Sequence, residues 1–418
     1  MHPGQGRGTI EPACGRRVQA AITADRQRAL APIPCDSPLL DLRMKQIETT
    51  RAPRPRRRLS VGRKQFGVRR GAAVAGALLL IGAGVSACGT DDEPTSVSEG
   101  VAGNVAVGTH PVGSSYHSVG TAVASLISSH TPIRAAVQPF SGPNAWIPAM
   151  VNGDLAMGVP SSVDTIWAYE GGPGYDQPNP TLRVVNNGAV QELVGLVVLA
   201  DSSIRSVEDL RGKRVGSGYG GNVLVEQIIN AQLEAAGLSQ ADIKAVPVPD
   251  SATGVTALQS GQVDAAFGLT PTTPNVVELD STMGVRVLPF SDLTPDDIPN
   301  GKNVSERKDL FAKYIPGVDF AVVPGGTGIV DEDFVALAYS SQLVSDTTVS
   351  NETIFAVVEA VWNNHEELHS SHATGKWTPE DMVPEEFRVP YHDGAVEFYK
   401  SVDAWTEGHE ATQNALLD

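Results

Sequence analysis

The sequence predicts an α/β fold arranged as two lobes. From residue 104 onward, short β-type runs alternate with longer helical ones, the pattern of an α/β fold with largely parallel sheets. At 418 residues the chain is too long for one small domain and suits two lobes plus an appendage; its 41% hydrophobic content is enough for real cores. One unit also occurs twice. Gly153-Asp154-Leu155-Ala156-Met157-Gly158 leads to Ser161-Ser162, and Gly261-Gln262-Val263-Asp264-Ala265-Ala266-Phe267-Gly268 leads to Thr270-Pro271-Thr272. In both, a glycine stops a short helix and a short strand delivers small hydroxyl residues at its carboxyl end, as if one design served each lobe.

The elements follow in order. Residues 105–107 read as a strand, and 119–128 carry Val119, Val123, Leu126 and Ile127 at helical spacing. A strand at 133–137, a helix around 147–151, a strand at 155–159 and a helix ending near Tyr169 come next. The nearly continuous apolar run 193–199 predicts a strand buried on both faces. A short capped helix at 206–210, a strand at 214–216 and a helix over 223–236, stopped by Gly237, open a new unit. Residues 246–248 are strand-like, 252–260 helical and 263–268 a strand. Residues 289–318 are turn-rich, 320–323 form a strand, and 333–343, 351–368 and 394–407 are expected to be helical.

The net charge of −17 is unevenly placed. Residues 1–87 hold 16 Lys+Arg against 5 Asp+Glu, whereas residues 88–418 hold 15 against 43. So acidic a body excludes nucleic acid, which needs a basic surface, and a solvated acidic coat keeps it soluble. The cysteines are Cys14, Cys35 and Cys88, so the body has no pair for a disulfide framework or a thiolate zinc site.

Arg63, Lys64, Arg69 and Arg70 precede an uninterrupted small and apolar run at 71–85, which fits a signal-peptide core and is short for a membrane span. Val85-Ser86-Ala87-Cys88, followed by a polar and acidic stretch, resembles a bacterial lipobox, with Cys88 as the lipidated thiol. Gly62-Arg63-Lys64-Gln65-Phe66 has a faint likeness to a twin-arginine signal; Sec export is the other route. Residues 1–60, rich in Pro and Arg and without periodicity, are expected to be disordered or an over-long reading of the gene, with translation starting near Met44 or Val61. The expected organisation is then a signal peptide at 61–87, a flexible tether at 88–103, lobe 1 at 104–200, lobe 2 at 201–290, a lobe interface and crossover at 291–319, and the rest of lobe 1 with C-terminal helices at 320–418.

In open α/β sheets, ligands sit beyond the carboxyl ends of the strands, near helix N-termini. The loops at 109–117, 141–144, 161–164, 217–222 and 270–273 occupy those places and contain no arginine or lysine. Their candidate ligand-binding residues are Thr109, Ser114, Ser115, Tyr116, Ser141, Gly142, Asn144, Ser161, Ser162, Ser217, Gly220, Asn222, Thr270 and Thr272. Glycine lets backbone approach a ligand, freed N–H groups and the helix dipole stabilise an anion, and hydroxyls donate without carrying charge. A carboxylate can be held this way with no salt bridge. Ordinary capped turns would look the same one loop at a time; five at equivalent positions favour a site.

Tyr116, Trp146 and Tyr219 sit in or beside these loops, as core or as ligand platform, with Tyr116 the first choice at the mouth of the first helix. His365 and His369, at i and i+4, lie far from the loops beside Glu366 and Glu367 and read, with His372, as a solvated face rather than a metal site. No cofactor is called for. No Gly-x-Ser-x-Gly elbow, Walker loop or His-Glu-x-x-His is present, so no catalytic residue is assigned and the chain is not read as an enzyme.

Gly108-Thr109, with Gly113-Ser114-Ser115-Tyr116-His117-Ser118-Val119-Gly120, resembles the glycine-rich opening of the TAXI family. These are the solute-binding subunits of TRAP (tripartite ATP-independent periplasmic) transporters. Gln138-Pro139 with Gly142, the Gly-Asp-Leu-Ala run from Gly153 to Ala156, Ser206 to Val215, Ala235-Ala236-Gly237-Leu238, Gly261 to Phe267 and Pro324-Gly325-Gly326-Thr327 also match, in order, over about residues 104–400. His110-Pro111, His117 and Ser118 depart from the family pattern within the expected pocket. The resemblance implies a two-lobed periplasmic-binding-protein-like fold of type II with the ligand cleft between lobes. It also implies a dicarboxylate, keto-acid or glutamate-like ligand and a TRAP permease, driven by an ion gradient, as membrane partner. With the lipobox, the expectation is an exported, lipid-anchored monomer on the outer face of the cytoplasmic membrane. Rivals are a binding protein of the same fold serving an ABC importer or a membrane sensor, and a hydrolase using Ser115 or Ser217.

Overall fold

The first strand and helix set the pattern for the whole chain. β1 (Asn104–Thr109) runs into a loop ending at Ser114, whose hydroxyl accepts from the His117 N–H at 3.2 Å and caps α1 (Ser115–His130). Val119, Val123, Leu126 and Ile127 form the buried stripe of α1. Gly120 lets that stripe seat closely: a Cβ there would lie 2.3 Å from the Thr109 methyl. The computed structural model describes residues 100–301, 303–370 and 377–418. Cys88, the signal segment and most of the tether therefore lie outside the described residues.

β2 (Arg134–Pro139) pairs parallel with β1, and α2 (Pro143–Val151) follows. β3 (Met157–Gly158) pairs parallel with β1 on its other side, and α3 (Ser162–Glu170) leaves from its end. Trp146 of α2 lies against Gly108 and Gly158, where a Cβ would come within 2.9 and 2.2 Å of its ring. That ring fills the layer between helix and sheet and is fully buried. β4 (Leu182–Leu193) and β5 (Leu196–Leu199) are separated by Val194-Gly195, with Gly195 at φ 72°. The expected single strand over 193–199 is thus broken, because the chain changes sheets there: β4 belongs to the first sheet and β5 to a second.

The second sheet continues with β6 (Arg214–Ser217), α4 (Val223–Ala235), β7 (Lys244–Pro247), α5 (Ser251–Gln259), β8 (Ala266–Phe267), α6 (Pro274–Met283) and β9 (Val285–Val287). β6 pairs parallel with β7, and β5 lies antiparallel between β8 and β9. A parallel bridge from Val215 to Ala265, with Gly216 N–H donating to Ala265 O at 3.0 Å, joins these strands in the order β7-β6-β8-β5-β9. After α7 (Asp297–Asn300) and α8 (Val304–Ala312), the chain returns to the first sheet as β10 (Asp319–Val323) and β11 (Phe334–Asp346). β3 lies antiparallel to β11, so that sheet runs β2-β1-β3-β11, with β4 and β10 also on β11.

Each lobe therefore repeats one plan: two parallel strands, a short third strand parallel to the first, then an antiparallel neighbour. The repeated turn is the same at backbone level. Gly153 N–H donates to Met150 O (2.9 Å) and Asp154 N–H to Ala149 O (2.9 Å); Gly261 N–H donates to Leu258 O (3.1 Å) and Gln262 N–H to Ala257 O (2.8 Å). Both glycines have positive φ, 85° and 69°, which the turn requires.

Three further expectations are corrected. The sheets are mixed rather than largely parallel, because β11 pairs antiparallel with β3, β4 and β10. Residues 333–343 are not helical but lie in β11, whose partners come from residues 182–193 and 319–323. Its near-continuous burial reflects a central strand covered on both faces, which apolar spacing alone does not separate from a helix. The helix expected over 394–407 is two: α11 (Asp393–Ser401) ends before Asp403 at φ 58°, and Thr406 caps α12 (Glu407–Leu417) through His409 N–H. Between β11 and α11 lie α9 (Asn351–Asn363), a 3-10 turn at His365–Ser370 and α10 (Pro379–Met382).

Candidate functional site

The strand-end loops of the two lobes meet along one seam. On the first lobe, the loop after β1 presents His110 and the first turn of α1 presents Ser115 and Tyr116, all buried. The His110 ring lies on Tyr116 with centroids 4.6 Å apart. Across the seam, Asn222 Nδ2 donates to His110 Nε2 at 3.1 Å, which leaves the ring proton on Nδ1. Asn144 Oδ1 accepts from the Val223 N–H at 2.9 Å, and Asn275 N–H donates to Gly113 O at 3.2 Å. Close backbone approach tightens the seam: a Cβ on Gly142 would lie 2.2 Å from Gly221 O, and one on Gly328 would lie 2.0 Å from Pro271 O.

Seven side-chain atoms of this region are buried and have no hydrogen-bond partner: His110 Nδ1, Ser115 Oγ, Tyr116 OH, Asp164 Oδ1, Tyr175 OH, Asn222 Oδ1 and Asn275 Oδ1. A folded protein leaves few such groups, because each costs about 1–3 kcal/mol when desolvated and unpaired. Both lobes contribute: Asn222 and Asn275 from the second, the others from the first.

The predicted residues divide by what their polar groups already do. Ser115, Tyr116 and Asn222 carry free buried groups at the seam. Thr109 is buried beside them and bonds the His110 carbonyl and His117 Nδ1, each at 3.1 Å. Ser141 and Gly142 form the wall against Gly221, and the Asn144 amide is engaged at both ends, by Val223 N–H and the Gly174 carbonyl. The Thr270 hydroxyl bonds Thr273 at 2.9 Å, and Thr272 is half-buried one residue past the Pro271 carbonyl that holds Ile329 N–H. Ser114 and Ser161 spend their hydroxyls capping helices. Ser217 donates to Glu226 at 2.9 Å, inside the second lobe, and Gly220 is exposed. Ser162 faces elsewhere, lining a concavity of about 670 Å³ with Asn187, Gln342, Glu386 and Arg388. Trp146 and Tyr219 are core, the latter accepting Phe267 N–H at 3.3 Å.

No histidine bonds either serine that a hydrolase would use. Ser115 is unpartnered, Ser217 is held by Glu226, and His117 engages Thr109 instead. Among the described residues no cluster of three or more His, Cys, Asp or Glu could hold a metal ion.

The structure adds residues outside the candidate set: Tyr175, Asn275 and Tyr339, which sequence reasoning passed over, and His110 and Asp164, which lie in the expected loops but were not chosen as ligand-binding residues. Burial holds the His110 imidazole neutral, its pKa lowered to about 3. Asp164 is only 2% exposed, and burial pushes its pKa up to about 6 although Ser161 bonds to its charged form. The hydroxyls of Tyr116, Tyr175 and Tyr339 are held well above their ordinary range, first by burial and also by the Asp164 charge. An Asp one turn behind an N-cap serine was the available sequence signal for Asp164. Tyr339 had none, since its strand reads as a helix.

A mixed α/β chain that crosses between two sheets and gathers unpaired polar groups where their loops meet is organised like a binding protein. The chain belongs to the NMT1-like family, which it matches over residues 107–402. Solved structures overlay on it in part. The periplasmic aliphatic sulphonate binding protein SsuA from Escherichia coli is 21% identical, with 50% of this chain and 72% of that one covered and a TM-score of 0.34. A protein from Bordetella bronchiseptica RB50 is 14% identical over 76% and 99%, with a TM-score of 0.45. PhnD1 from Prochlorococcus marinus, in complex with methylphosphonate, is 12% identical over 72% and 99%, with a TM-score of 0.42.

Proposed function

We propose that this protein is an exported solute-binding lipoprotein that captures a small carboxylated solute between its lobes and delivers it to a TRAP permease. One observation carries the reading: both lobes send buried, unpaired polar groups to a single seam. His110 Nδ1–H, the Ser115 hydroxyl and the Tyr116 hydroxyl are neutral donors that a carboxylate would satisfy without an arginine. Closure then couples binding to shape, since Asn222–His110 and Val223–Asn144 bonds form only when the lobes meet. Membership of the NMT1-like family and the TAXI-like motifs support transport over chemistry. Cys88 would anchor the protein and the acidic body would face away from the membrane.

A thermal-shift screen of the full chain over organic acids and amino acids tests the reading. A ligand at 100 times its Kd stabilises by roughly 2.7 kcal/mol, a clear rise in melting temperature. Neutral solutes that shift melting where no carboxylate does would overturn the carboxylate assignment. Co-purification with a membrane ATPase rather than an ion-driven permease would overturn the TRAP partner.

A further inference from the structure

Leu269 is held in a backbone conformation that leucine rarely adopts, with φ at 58°. Among the described residues the other non-glycines with positive φ are Asn303 (59°) and Asp403 (58°). Both are exposed, and both are of the residue types that visit the left-handed region readily. Leu269 is neither, being only 3% exposed. A glycine does stand beside it at 268, but there it makes room, since a Cβ would lie 2.7 Å from Val197 Cγ1.

The strained residue sits between the crossing of the sheets and the seam. Its carbonyl accepts Val194 N–H at 2.7 Å, and Gly268 N–H donates to Gly195 O at 2.8 Å, where the chain passes from the first sheet to the second. Two residues on, Pro271 O accepts Ile329 N–H, from the first-lobe loop between β10 and β11, at 3.0 Å. The first-lobe copy of this turn is relaxed. Pro160 precedes Ser161 as Leu269 precedes Thr270, and its carbonyl likewise holds a neighbouring strand by accepting Gln342 N–H at 2.9 Å, yet its ring keeps φ negative. The helix cap, Ser161, follows at once there, whereas Thr270, Pro271 and Thr272 come before the cap Thr273 in the second lobe. The left-handed turn at Leu269 carries these added residues across to the first lobe. Packing of the buried side chain explains a leucine but not its φ, which the bonds on either side impose.

We propose that Leu269 is a positioning residue that stores backbone strain while the lobes are joined. The Pro271–Ile329 bond holds it left-handed; opening of the seam frees the loop, and relaxation of Leu269 favours the open form and the release of solute. The inference rests on the reading of capture by lobe closure and is independent of the class of ligand.

Hydrogen exchange followed at single amides of the ligand-free full chain tests it. Ile329, Val223 and Asn275 N–H are bonded across the seam and report its opening, whereas Gly216 and Val248 N–H are bonded inside the second lobe and report its unfolding. Leu269→Gly is set against Leu269→Ala, which loses nearly the same packing but keeps the strain. The seam amides are expected to exchange about fivefold or more slowly in the glycine variant, the population ratio that the cost of one left-handed residue corresponds to, with no gain in protection inside the second lobe. Should either variant misfold, Leu269→Ile keeps the side-chain volume and, being β-branched, tolerates the left-handed region even less. Its seam amides are expected to exchange faster than those of the natural protein while the amides inside the lobe do not. Seam exchange no slower in the glycine variant than in the alanine one, no faster in the isoleucine one than in the natural protein, or changed by the same factor as exchange inside the lobe, overturns the inference, because the strain is then absent or held equally in the open form. Solute capture is untouched by that result, since the thermal-shift screen decides it separately.

Discussion

Asp164 and His110 bury opposite ionisations in one cluster, and their effects on stability run in opposite directions with pH. Asp164, raised from 3.8 to about 6, is favoured by the fold when protonated; that stability is complete below 3.8 and is lost as pH rises through 6. His110, lowered from 6.5 to about 3, is favoured when neutral; its stability is complete above 6.5 and is lost as pH falls towards 3. Between about pH 4 and 6 the two slopes, each ~1.4 kcal/mol per pH unit, oppose one another. Asp164→Asn removes one of them. The ligand-free variant is expected to lose roughly 1.4 kcal/mol more per pH unit than the natural protein from pH 6 to 4, and to be the more stable of the two at pH 8. Urea midpoints at pH 4, 5, 6 and 8 measure both, and parallel profiles would mean that Asp164 titrates at its ordinary pKa. The hydroxyl-rich, lysine-free loops around these residues were legible in the sequence, since composition is local. The pairing of Asp164 with Tyr339 was not, because 175 positions separate them and only β11 brings them together.

At the scale of elements, the seam depends on glycines that let one loop rest on another. Gly142→Ala would place a methyl 2.2 Å from Gly221 O and 2.8 Å from Asn222 Cβ, so the loops must separate. The expected result is a ligand affinity weakened about tenfold or more with a change of only ~1 kcal/mol in ligand-free stability, because the clash is met by opening and not by disrupting a core. Calorimetry and the radius of gyration from small-angle scattering measure the two sides. Unchanged values would show that the seam accommodates the methyl group. Gly158→Val is expected to behave differently: its side chain would enter the Trp146 ring, 2.2 Å from the new Cβ, and cost several kcal/mol in urea unfolding at any ligand concentration. Elements whose signals are local were readable in advance. Ser114, Ser161 and Asp250 accept the capping N–H bonds that start their helices, and Gly153 and Gly261 end theirs. β11 was misread because both faces are covered and its register with β4 shifts at Ser340/Gln342, which removes the alternation that marks a half-exposed strand.

At the scale of the whole molecule, the proposed anchor makes a separate prediction. Cys88→Ser should move the protein from the membrane fraction to the soluble fraction without altering the melting temperature of the folded body, whose described residues begin twelve positions later. Equal fractionation of both forms would count against lipidation. Among the described residues no helix is long and apolar enough to cross a membrane.

The sequence by itself determined the alternation of strands and helices, the duplicated helix–glycine–strand turn and the absence of basic residues from the strand-end loops. Each of these is written in contacts between near neighbours: caps, turn glycines and the spacing of apolar side chains. Only the tertiary structure decided that the chain changes sheets at Val194-Gly195, that β11 is the common partner of β3, β4 and β10, and that Asp164 is buried without a cation. Strand pairing and desolvation depend on groups far apart in the chain, and neither has an energy until the fold brings those groups together.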